Sequence, residues 1–131
     1  MPTQPMSPLL ASIAATAGAA LLSAVVVLVF EGVLLDRAHV AAQPLSPLAA
    51  AVAMALFAVV TGAISTGFAA LFERWFHPGL AIYAIVVLAI AILLSRLALA
   101  TTPTEAPMYI VLHVVFVIAF GIAIPLAWYR A

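Results

Sequence analysis

Four long apolar runs, separated only by short polar breaks, fill nearly the whole chain. That pattern makes lipid the solvent. A hydrocarbon layer about 30 Å thick takes ~20 apolar residues per helical crossing, and the runs cover about residues 9–35, 47–72, 80–99 and 108–128. The chain is 69% hydrophobic and 6% charged. A soluble domain carries about 25% charged residues, so this one cannot cover a water-facing surface. The expectation is an all-α membrane protein, a single membrane domain over residues 1–131, with four transmembrane helices. Short connections force neighbours to run antiparallel, which predicts an up-down-up-down bundle with both termini on one side. A lipid-embedded β-barrel does not fit. Its strands alternate polar and apolar residues over ~10 positions, whereas these runs are apolar all round.

The breaks carry helix-boundary chemistry. Ser7-Pro8 and Ser46-Pro47 each offer a capping hydroxyl followed by a proline suited to the first helical position. His77-Pro78-Gly79 turns the chain between the second and third runs, and Thr101-Thr102-Pro103-Thr104 ends the third. The first run is too long for a signal peptide, and no basic residue precedes it, so it reads as a retained span. Pro125 sits four residues beyond Gly121. A proline ring strikes the carbonyl four residues back, which predicts a mild kink in the fourth span. Trp75, Tyr83, Trp128 and Tyr129 fall at span ends on the side of the termini, as an interfacial aromatic belt requires. Ala58, Gly62, Thr66 and Ala70 recur every four residues in the second span, and Ala119, Ala123 and Ala127 in the fourth. Small residues let membrane helices approach closely. These stripes serve either packing within one bundle, the simpler reading, or a dimer seam.

What is missing excludes several chemistries. The chain has no cysteine, so thiol–disulfide exchange, thiolate zinc sites and iron–sulfur clusters are ruled out. Its four basic residues are all arginine and its formal net charge is zero, which gives nucleic acid no footprint. His39 and His77 fall in connections on opposite faces. His39 and His113 share a face but lack a third ligand, so no metal, haem or other cofactor is expected. No nucleophile–base pair stands out, and no catalytic residue is assigned. Arg74 and Arg130 lie on the side of the termini, Arg37 and Arg96 on the other. Arg96 falls within the last turns of its span. Discounting it places the termini in the cytoplasm by the excess of basic residues.

Ionisable residues inside a span are functional candidates by default. Glu31 near the end of the first span, Arg96 near the end of the third and His113 near the start of the fourth should lie at similar depth on one side of the membrane. Ser95 and Tyr109 are close in sequence. The simplest expectation is a clamp in which Glu31 and Arg96 form an ion pair between spans, with His113 adding a hydrogen bond. Two alternatives stand beside it: separate side chains snorkelling to the interface, and a binding or proton-handling site open to that face.

From about Leu71 onward the chain resembles a family of uncharacterised four-span integral membrane proteins, found mostly in high-GC bacteria and grouped as a domain of unknown function. The resemblance lies in Phe72-Glu73-Arg74-Trp75-Phe76, Ser95, the proline-containing loop Thr101 to Pro107, and the pair Leu112-His113. It implies a bacterial inner-membrane location and a four-span fold. Glu31 and Arg96 are not among its motif positions. Two functions are carried forward. One is a non-enzymatic integral membrane protein, an accessory subunit of a larger complex. The other is a small transporter similar to the four-span multidrug exporters that work as dimers. Those exporters place an essential Glu deep in the first span, whereas Glu31 lies near its far end. The partners expected are the lipid bilayer and either a second copy or a larger membrane complex.

Overall fold

Each of the first two spans begins where a serine hydroxyl precedes a proline. In this computed structural model, which describes residues 7–75 and 79–129, helix α1 (Pro8–Val29) starts with the Leu10 N–H donating to Ser7 Oγ at 3.2 Å. Helix α3 (Pro47–Trp75) starts with the Ala49 N–H donating to Ser46 Oγ at 3.2 Å. Between them lies a five-residue helix, α2 (Arg37–Ala41), in the first connection. Helix α4 (Gly79–Thr101) forms the third span. The fourth is continuous through α5 (Ala106–Phe116), a π-helical segment (Val117–Ala123) and α6 (Ile124–Tyr129). The four helical stretches long and apolar enough to cross a bilayer are Pro8–Leu34, Pro47–Phe72, Ala81–Thr101 and Ala106–Trp128, close to the runs read from sequence. Residues His77, Pro78 and Arg130, and the side chains of Trp75 and Tyr129, lie outside what is described.

Two π-helical turns interrupt the spans. α1 ends in one, Phe30–Leu34, closed by the Leu35 N–H on the Phe30 carbonyl at 2.7 Å. The other precedes Pro125 in the fourth span. Proline has no N–H to donate, and its ring crowds the carbonyl four residues back. The widened turn carries the Ile124 N–H to the Ala119 carbonyl, five residues back. The irregularity expected near Gly121 and Pro125 therefore takes the form of a π segment.

The helices pack by size in the manner of membrane bundles, with small residues inside and large ones outside. Ala19, Ala51, Ala58 and Ala69 are buried, whereas Leu21 and Val33 are 71% and 73% exposed. α1 and α3 form the closest pair. At Gly62 any Cβ would overlap the Thr16 side chain of α1. The buried stripe on α3 is Ala58, Gly62, Ser65 and Ala69, not the strict four-residue series. A four-residue step overshoots the helical turn by about 40°, so the face drifts and the later positions move to 65 and 69. In the fourth span Ala119 is buried, Ala123 exposed and Ala127 half-buried, because the π segment shifts the register.

Antiparallel order shows in the two core clusters. One joins Ala19 of α1, Ala69 late in α3, Tyr83 early in α4, and Phe120 and Ile124 late in the fourth span. The other joins Val27 late in α1, Ala51 early in α3, and Met108 and Leu112 early in α5. Trp128 Nε1 donates to Ser12 Oγ at 3.0 Å, tying the end of the last span to the start of the first. Tyr83 does not join an interfacial belt. It is buried, with its ring centroid 5.9 Å from that of Phe72. The third span is the most peripheral. Only 6% of its apolar window is buried, against 33% for the fourth.

Candidate functional site

Polar side chains converge at the end of the bundle that carries the first and third connections. The connection that contains α2 brings His39 over this end. Glu105 stands at the N-terminus of α5, and Tyr109 follows it by four residues, on the same face. His39 Nε2 lies 2.8 Å from Glu105 Oε1. A carboxylate only accepts, so the ring nitrogen is the donor. The Tyr109 hydroxyl donates to Glu105 Oε2 at 2.9 Å. Gln43, four residues beyond His39, places its amide 3.3 Å from the same ring nitrogen. Both oxygens of Glu105 are thereby occupied, and the segment before α5 is fastened to α2.

Glu31 belongs to this end as well. It sits in the π turn that closes α1, buried, and its Oε2 has no hydrogen-bond partner. Its charged neighbours are Glu105 and His39. Arg96 is not among them. The Arg96 side chain is exposed, on a shallow cleft of about 310 Å³ formed by α4 and the fourth span. The His39–Glu105 contact is the only ion pair among the described residues. The expected clamp between Glu31 and Arg96 is therefore absent. An exposed arginine near a helix end satisfies its charge at the headgroups, reached along its own apolar stem.

His113, the third member of the expected cluster, is engaged elsewhere. Its Nδ1 lies 2.8 Å from Ser95 Oγ, which joins α4 to α5. His113 also borders a larger cleft of about 620 Å³ between α3, α4 and the fourth span. The cleft is walled by apolar and aromatic side chains, including Phe57, Phe116 and Phe120. The Phe57–Phe116 and Phe116–Phe120 ring centroids lie 6.0 and 5.2 Å apart. Thr61, Ser65, Tyr83, Tyr109 and His113 supply its few polar groups. Thr61 donates to its own helix at the Phe57 carbonyl, and Thr66 to that of Gly62, both at 2.8 Å. Their hydroxyls are internally satisfied, as membrane helices favour. Tyr83 presents a buried hydroxyl that makes no hydrogen bond of good geometry, although Ser65 is close.

The three residues singled out in the sequence thus share one end of the membrane but not one cluster. The titratable residues in the electrostatic neighbourhood of Glu31 are His39, Glu105 and Tyr109. The spacing of four from Glu105 to Tyr109 was the available signal, since such residues share a helix face. No three His, Asp or Glu side chains are placed to hold a metal ion among the described residues. Fold and site together define a multi-pass α-helical membrane protein with a polar cluster at one boundary and an apolar lateral cleft. No protein-family model, curated protein or solved structure matches the chain.

Proposed function

We propose that this chain is a non-enzymatic integral membrane protein of a bacterial cytoplasmic membrane, serving as an accessory subunit of a larger membrane complex, with its termini in the cytoplasm. The observation that carries this reading is the peripheral position of α4. So few of its residues are buried that a long apolar face stays available for lateral contact with other helices. The polar groups of the bundle hold one another; Ser95 and His113 set a hydroxyl beside an imidazole, but among the described residues no acidic group orients that ring as a catalytic base requires. The bacterial location rests on the sequence likeness of the second half to four-span bacterial proteins alone. The orientation rests on Arg74 and Arg130 outweighing Arg37, with Arg96 discounted because it lies within the third span.

Native mass spectrometry of the protein extracted gently from its own membrane, without overexpression, tests the proposal. Larger stoichiometric partners support the accessory role. A lone monomer or homodimer counts against it. A homodimer turns attention to the second reading, a small dimeric transporter, which the unpaired carboxyl oxygen of Glu31 favours. Loss of a resistance phenotype in Glu31→Gln supports that reading; unchanged resistance opposes it.

A further inference from the structure

Charge does not balance around Glu31. The residue is 7% exposed, and its Oε2 has no partner. The titratable groups near it are His39 from α2, Glu105 at the start of α5 and Tyr109 from α5. Among the described residues α3 and α4 bring none to this spot. Their described titratable side chains, Arg74, Tyr83 and Arg96, lie at the far end or face outward. Two carboxyl groups in this neighbourhood are therefore served by one imidazole. That imidazole is committed to Glu105, and Tyr109 takes the second oxygen of the same carboxylate. Even a charged His39 leaves the group one positive charge short. In a bare carboxylate at Glu31, Oε2 would be buried without a donor, an arrangement low-dielectric interiors penalise.

The backbone supports the same point independently. Glu31 lies in a π turn, a geometry frequent at functional positions. Among the described residues no three His, Asp or Glu side chains converge here to hold a metal ion.

We propose that the Glu31 carboxyl is a binding site for one unit of positive charge, a proton or a small monovalent cation, at the membrane boundary. Filling the site neutralises Glu31. Emptying it sets a second negative charge beside Glu105, which competes for His39 and loosens the contact between α2 and α5. The occupancy of Glu31 and the state of the His39–Glu105 pair are thus coupled. This inference does not depend on whether the chain works alone or as a subunit.

Infrared difference spectroscopy on the full-length protein in lipid nanodiscs tests it. Wild type, Glu31→Gln and Glu105→Gln are compared across a pH series in sodium, potassium and choline chloride. The reporter is the C=O stretch of a protonated carboxyl, which a carboxylate lacks. If the charge is a proton, the stretch appears in wild type, disappears in Glu31→Gln, weakens in Glu105→Gln, where His39 is released to balance Glu31, and is the same in all three salts. If it is a small cation, the stretch appears in choline and is lost in sodium or potassium. Wild-type and Glu31→Gln spectra that superimpose in every salt overturn the proposal.

Should Glu31→Gln fail to fold, wild type is treated with a hydrophobic carbodiimide. This reagent bonds to the oxygen of a protonated carboxyl while the proton moves to its nitrogen. Modification of Glu31 in every salt indicates the proton. Protection by sodium or potassium indicates the cation. No modification at Glu31 in any salt overturns the proposal.

Discussion

Replacing Gly62 by alanine tests the packing of the bundle at its tightest point. A Cβ there would overlap the Thr16 side chain, whose own Cβ would lie only 2.8 Å away. Threonine is stiff at χ1 and cannot swing aside freely, so α1 and α3 must separate. Overpacking of this kind costs about 1–3 kcal/mol. The substitution also removes a glycine from a helix interior, which returns up to about 1 kcal/mol. Gly67, on the same helix, isolates that gain, because nothing lies within 4 Å of a Cβ built there. The difference between Gly62→Ala and Gly67→Ala should therefore be about 1–3 kcal/mol, read from reversible unfolding in mixed micelles by tryptophan fluorescence. Adding Thr16→Ala removes two of the three crowding atoms. The double variant should then recover at least about 0.5 kcal/mol relative to the sum of the singles. Equal stabilities for Gly62→Ala and Gly67→Ala, with Thr16→Ala strictly additive, would refute the close approach of α1 and α3.

Other substitutions test the polar contacts in the same unfolding assay. Glu105→Ala removes the acceptor of two bonds and should cost about 2–3 kcal/mol, against about 1 kcal/mol for Tyr109→Phe. The His39 share is discounted because that side chain is 29% exposed. Arg96→Gln should change stability by less than about 0.5 kcal/mol, and its combination with Glu31→Gln should be additive, since the two are not paired. Ser12→Ala and Trp128→Phe should each weaken the closure between the first and last spans. Their coupling should be about 0.6 kcal/mol, typical of interhelical hydrogen bonds in membranes. A coupling near zero would mean that Trp128 Nε1 does not depend on Ser12. Ser7→Ala should cost about 1 kcal/mol as a lost cap, visible as earlier hydrogen exchange in the first turn of α1.

The spans and their capped starts were legible because each rests on a local signal of large size. A run of twenty apolar residues admits one reading, and Ser-Pro fixes where α1 and α3 begin. Depth was legible too, since residue count from a span end converts directly to height in the membrane. Azimuth was not. Helices that are apolar all round carry no polar face to say which side turns inward, so Glu31, Arg96 and His113 could be placed at one height but not on one side. Arg96 turns outward, where headgroups satisfy it. Glu31 turns inward through a π turn that no residue pattern announced. Glu105 looked like loop punctuation, and α2, at five residues, is too short to leave a periodic trace. Tyr83 had the right position for a belt residue, and only the ring of Phe72 beside it shows that it belongs to the core.

The neighbourhood of Glu31 is the centre of this account, and the absence of native cysteine makes it directly testable. Two double variants, Glu31→Cys with Glu105→Cys and Glu31→Cys with Arg96→Cys, are treated in native-like membranes with a short bifunctional thiol reagent. The account predicts intramolecular cross-linking in the first pair and none in the second. Cross-linking through Arg96 but not through Glu105 would contradict it and restore the ion pair between the first and third spans.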